Sequence, residues 1–202
     1  MTVFIVHGFN SRKHAIWMAS LGEALEAAGL DVVSANYGHT NLKTVGRKTR
    51  DAARHLAASA REGDCAIGFS NGCPVIDLAL DMGAPLKRIM WINPALEPDV
   101  VIAPWVTRLD VFYAPDDGVV GWGDLWRRYN PARLVGWSSP WGVMGRTGYQ
   151  GDFARAHNWN LGNVGHSGAL EFHRRGRLGR MLATLCSGEV PDHSPSDPIF
   201  RA

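Results

Sequence analysis

Short apolar runs alternate with longer amphipathic ones along almost the whole chain. The short runs are Val3–Val6, Asp31–Ala35, Cys65–Gly68, Arg88–Ile92, Leu109–Tyr113 and Arg133–Trp137. The longer ones are His14–Ala28, Leu42–Arg61, Asn71–Met82, Gly123–Tyr129 and Ser167–Leu185. Strands separated by a dozen or more residues of helical pattern cannot be hairpin partners, so they pair in parallel through crossover helices. Ala15, Met18, Ala19, Leu21, Leu25 and Ala28 give the first helix one apolar stripe. Gly29 and Gly83 stand where their helices must stop. The fold class expected is α/β, with a mostly parallel central sheet of about six strands and helices on both faces.

One junction in this pattern carries chemistry. Gly68-Phe69-Ser70-Asn71-Gly72 follows a strand and opens a helix. A serine with glycine two residues to either side, at a strand-to-helix turn, is the nucleophile-elbow arrangement. The requirement is steric. The serine backbone must be sharply turned, and a Cβ at either flanking position would collide with the neighbouring strand or helix. The turn lifts the hydroxyl clear of the sheet and aims a helix N-terminus at the reacting group.

Acyl transfer needs a base, a group to orient it and two donors for the oxyanion besides the nucleophile. His7-Gly8-Phe9-Asn10 follows the first strand, and the amides of Phe9 and Asn71 are the expected donors. His7 itself is expected to brace the loop. An acid follows the strand Leu109–Tyr113 in Ala114-Pro115-Asp116-Asp117-Gly118-Val119-Val120. Asp117 has the better register for an acid topping a strand, with Asp116 left to cap a turn, and Glu97 and Asp99 are alternatives from the preceding loop. Of eight histidines, His166 fits the base best, in Asn163-Val164-Gly165-His166-Ser167-Gly168, and His157 comes second.

The order Ser70, Asp117, His166 is that of the α/β-hydrolases. From residue 2 to 186 the chain resembles that superfamily, in a minimal esterase- or lipase-like form, through HGF, GFSNG, the DDGVV loop and NVGHSG. The resemblance implies that Ser70 is the nucleophile, His166 the general base and acid, and Asp117 its orienter. Two departures stand out. The chain starts at what would be the third strand of larger members, and a long stretch precedes the histidine in place of a cap domain after the sixth strand.

That stretch holds Trp122, Trp126, Trp137, Trp141 and Trp159, five of the eight tryptophans. Within an irregular insert over about 138–164, Ser138–Gly151 shows neither helical nor strand periodicity, and long irregular loops in compact domains are usually functional. Trp141, Met144 and Tyr149 are its candidate substrate contacts, against the alternative that they only tie the loop down.

The whole reads as one domain, residues 1–186, with a loosely held tail over 187–202 that contains Pro191, Pro195 and Pro198. A formal net charge of +2 with mixed signs argues against a nucleic-acid surface. The basic cluster His173, Arg174, Arg175, Arg177 and Arg180 reads as the solvated end of the last helix. No run reaches transmembrane length, and the N-terminus lacks a signal-peptide pattern. Cys65, Cys73 and Cys186 are spaced for neither disulfides nor zinc, which points to a reducing cytoplasm. The expected activity is hydrolysis of a small-molecule or lipid carboxylic ester, or a thioester, with no metal or organic cofactor. The alternatives are a non-catalytic scaffold of the same fold and a hydrolase of a cell-envelope lipid ester.

Overall fold

The structure, a computed structural model, describes residues 1–8, 12–35, 44–121, 141–168 and 177–189. Six strands form one sheet: β1 (Thr2–Val6), β2 (Asp31–Ala35), β3 (Cys65–Phe69), β4 (Arg88–Ile92), β5 (Arg108–Tyr113) and β6 (Ala156–Asn160). Their spatial order is β2-β1-β3-β4-β5-β6, and every pairing is parallel. The helices that lie wholly within the described residues are α1 (Arg12–Ala27), α2 (Val45–Ser59), α3 (Gly72–Asp81), the short α4 (Met144–Thr147) and α5 (Arg177–Ser187).

Side chains alternate across a strand, so a strand covered on both faces is apolar throughout. In β1, Val3 and Ile5 join Leu21 and Leu25 of α1 and Leu178, Leu182 and Leu185 of α5 in one core. Phe4 and Val6 face the other way, into a second core with Ala53 and Leu56 of α2 and Ile76 and Leu80 of α3. The sheet is therefore the middle layer of three. From β1 the chain runs first to β2 on one side, then returns to β3 on the other. Ligand crevices open at such a reversal, beyond the carboxyl ends of the strands. Ser70 follows the end of β3 directly, and Gly8 stands two residues past the end of β1.

The first five strands fall where their apolar runs predict. The sixth does not. Ala156-His157-Asn158-Trp159-Asn160 has one buried side chain, Trp159, so it offers no apolar run to read. Specific contacts dock it instead: the Trp159 indole N–H donates to Asp110 on β5 (2.8 Å), and the ring stacks on Phe112 at 6.0 Å between centroids. The stretch over 138–164 thus contains a sheet strand and the helical turn α4, where an irregular loop was expected. The expected strand Arg133–Trp137 and helix Gly123–Tyr129 lie outside the described residues, as do most of the basic cluster and the tail beyond residue 189. Among the described residues, no helix is long and apolar enough to cross a membrane.

Candidate active site

The elbow is built as its glycines require. A Cβ on Gly72 would overlap the carbonyl oxygen of Val6, and one on Gly68 would lie 2.9 Å from Ile76 Cδ1 and 3.0 Å from the Cys73 backbone. Strand β1, strand β3 and helix α3 can therefore converge only because both positions lack side chains. Between them Ser70 adopts φ +54°, a left-handed conformation rare for a residue with a side chain. Its amide donates to the Ile92 carbonyl at 2.9 Å, which holds the strained turn against β4.

The hydroxyl that this turn presents meets a histidine from 96 residues away. Ser70 Oγ lies 2.9 Å from His166 Nε2, and His166 Nδ1 lies 2.7 Å from Asp117 Oδ2. Asp117 is fully buried and His166 nearly so. A ring N–H directed at Asp117 leaves Nε2 as an acceptor, so the Ser70 hydroxyl can donate to it. The ring also packs on Phe69 at 5.2 Å, and Phe69 in turn on Trp17 at 5.0 Å. His166 follows Gly165, which turns at φ +63°.

Asp117 receives two further donors. Val120 N–H donates to Oδ1 (3.0 Å) and the Asn93 side-chain amide donates to Oδ2 (2.9 Å). All three partners donate, which a carboxylate accepts without a proton of its own. Asp116 takes a separate part. Its Oδ1 accepts the Gly165 N–H at 2.8 Å, so it holds the backbone of the histidine loop rather than the ring.

Solved structures with this architecture are numerous. A proposed hydrolase of the α/β superfamily from Xanthomonas campestris is 16% identical, with a TM-score of 0.55 over 93% of this chain and 98% of its own. Alpha/beta hydrolase domain-containing protein 10 from mouse is 12% identical and aligns at TM-score 0.63, over 93% and 90% of the two chains. The esterase domain of a Rhodothermus marinus protein is 14% identical at TM-score 0.54, over 91% and 85%. The chain has the α/β-hydrolase fold. No family model and no curated protein matches its sequence.

Within this α/β-hydrolase fold the remaining candidates divide. Asn71 begins α3 and is buried; its side-chain oxygen accepts the Trp141 indole N–H at 2.7 Å. Gly8 presses against the elbow, since a Cβ there would lie 3.0 Å from Ser70 Cβ. Phe9, the other expected oxyanion donor, lies outside the described residues. His7 Nδ1 sits 2.7 Å from the Gly8 carbonyl, in keeping with a bracing part. Trp141 lines a cavity of about 110 Å³ beside Ser70, together with Ala95, Val119 and Val120.

Met144 and Tyr149 do not line that cavity. Both are buried in the α2/α3-side core, where they tie the insert to the strand ends. Met144 N–H donates to the Leu96 carbonyl at 2.9 Å, and the Tyr149 hydroxyl donates to the Val100 carbonyl at 3.2 Å. Asn158 of β6 closes on both backbone groups of Tyr149 (2.8 and 2.9 Å). Their apolar character serves packing at this place. His157, the second histidine weighed, sits inside β6 in register with Asp110.

Sequence reading overlooked Asn93. It is a lone polar residue ending an apolar strand, with no motif around it, yet it is wholly buried and has φ +46°. Cys73, three residues past Ser70, packs with its thiol 3.9 Å from the Ile92 carbonyl, and burial pushes that thiol well above its ordinary pKa. A thiol held protonated is no nucleophile. Among the described residues no cluster of His, Cys, Asp and Glu is arranged to hold a metal ion.

Proposed function

We propose that the chain is a serine hydrolase that cleaves a carboxylic ester or thioester through an acyl-enzyme. The observation that carries this reading is the unbroken line from Ser70 Oγ to His166 Nε2 and from His166 Nδ1 to Asp117, at 2.9 and 2.7 Å. Nucleophile and base stand within hydrogen-bond reach, and a buried carboxylate fixes the base.

In this mechanism His166 Nε2 takes the Ser70 proton as Oγ bonds to the substrate carbonyl carbon. The oxyanion forms at the start of α3, where the Asn71 amide donates to it; the second donor expected from the sequence, the Phe9 amide, lies outside the described residues. The imidazolium, held by Asp117, then gives its proton to the departing alcohol or thiol as the tetrahedral intermediate collapses. Water repeats the sequence on the acyl-enzyme and releases the acid. Nothing in this cycle calls on a metal or organic cofactor. The three buried, unpaired cysteines suit a cytoplasmic location.

A fluorophosphonate probe tests the assignment against a non-catalytic scaffold. The expected result is one covalent adduct on Ser70 of the folded wild type, none on Ser70→Ala, and slowed labelling of His166→Gln. Folded protein that takes no adduct would overturn the proposal.

A further inference from the structure

We infer that the acyl group accepted by Ser70 is short and uncharged, and that Trp141 sets this limit; the inference rests on the hydrolase reading above. The cavity beside the nucleophile measures about 110 Å³, and its walls are Ala95, Val119, Val120, Trp141 and Gly142, with Asn71 at the elbow. His166 is not among its lining residues. The departing alcohol must lie against His166 Nε2, because that nitrogen supplies its proton. The cavity on the other side of Ser70 therefore receives the acyl chain.

Its size decides how much chain enters. An engineered apolar cavity of about 150 Å³ in another protein is just large enough for benzene, with its six carbons. The space that these residues wall off beside Ser70 is smaller and holds about four carbons of an acyl chain, with Val119 exposed at its mouth. None of the described lining residues carries a charge, so against them a charged acyl tail would lose its hydration without a partner.

Trp141 is the largest wall, and it is fixed. Its indole N–H donates at 2.7 Å to Asn71 Oδ1, and Asn71 is itself held on α3 with its amide 3.5 Å from Thr49 Oγ1 on α2. The same residue whose backbone is assigned to the oxyanion thus anchors the end of the acyl pocket with its side chain. The wall cannot swing away for a longer chain without breaking this partly buried hydrogen bond. The chain next to it is held as well: Gly142 lies so close to Leu96 that even a Cβ there would strike the Leu96 backbone.

The test is kcat/KM for p-nitrophenyl acetate, butyrate, hexanoate and octanoate with wild type, Trp141→Ala and Ala95→Leu. Wild type should favour acetate and butyrate over octanoate by about tenfold or more, a typical value for methylenes that a pocket refuses. Trp141→Ala should shift the optimum to the longer esters. Ala95→Leu, which fills the cavity without touching the Asn71 bond, should lose butyrate before acetate. It keeps the proposal testable should the tryptophan variant fail to fold. A wild-type optimum at octanoate, or chain-length profiles in folded variants identical to wild type, would overturn the inference while leaving the hydrolase intact. No turnover of any ester, together with no fluorophosphonate adduct on Ser70, would overturn both.

Discussion

Asn93 donates its side-chain amide across 2.9 Å to Asp117 Oδ2, the same oxygen that lies 2.7 Å from His166 Nδ1. Asn93 adopts φ +46° to do so. A left-handed backbone of this kind costs on the order of 1–3 kcal/mol and persists only where the surroundings impose it. Its own amide, bonded to the Phe112 carbonyl at 2.8 Å, pins it to β5. The acid is thereby fixed from β4 as well as from its own loop. In Asn93→Gly the backbone keeps its freedom at positive φ and only the donor is lost. We expect kcat/KM to fall about tenfold, equivalent to about 1.4 kcal/mol of one hydrogen bond to a charged group. A lowered Tm with unchanged kcat/KM would reduce Asn93 to a packing residue.

The two neighbouring aspartates should separate sharply. Asp117→Asn keeps the shape but offers His166 an amide in place of a carboxylate, and such a change costs about 10⁴-fold in kcat in a well-studied serine protease. Asp116→Asn still presents an oxygen to the Gly165 N–H, so its activity should stay within about threefold of wild type. Steady-state kinetics of both variants decide the matter. An inactive Asp116 variant beside an active Asp117 variant would reverse the assignment.

The elbow predicts a stability difference between two dead enzymes. Both Ser70→Ala and Ser70→Gly remove the nucleophile, but only glycine accepts φ +54° without strain. Ser70→Gly should therefore be more stable than Ser70→Ala by about 1 kcal/mol in denaturant unfolding, the scale of the left-handed penalty for a residue with a Cβ. Equal midpoints, or a more stable alanine variant, would show the turn to be relaxed.

Asp77 supplies a pH signature on α3. Burial, reinforced by Asp81 one turn on, pushes its carboxyl up to about 7. The unfolded chain releases the same proton near pH 4, or about 3.9. Stability from this group is whole below about pH 4 and is lost as pH rises through about 7. Thermal melts of Asp77→Asn and wild type should agree closely at about pH 4, and the variant should melt higher at about pH 8. A Tm difference that does not grow with pH would contradict the buried, protonated carboxyl.

Much of this architecture is legible in the chain because the sheet is covered on both faces. Residues such as Ile5, Ile67, Met90 and Val111 are all buried, and their apolar runs mark β1, β3, β4 and β5. Ser70, Asp117 and His166 announce themselves through the glycines and small residues around them. β6 was not legible, because an edge strand with one buried side chain is defined by partners, Asp110 and Phe112, that lie far away in sequence. Asn93 escaped for a related reason: its part is set by a bond to Asp117, 24 residues on. Met144 and Tyr149 share the composition of pocket-lining residues, and only the path of the insert over Leu96 and Val100 sends them into the core.

The most direct measurement is intact-protein mass spectrometry during turnover of p-nitrophenyl acetate, with peptide mapping of any adduct. The mechanism predicts an acetyl group on Ser70, formed with a stoichiometric burst of p-nitrophenolate and absent from Ser70→Ala. Ester hydrolysis that persists in folded Ser70→Ala, or an acetyl group mapped to another side chain during turnover, would contradict it.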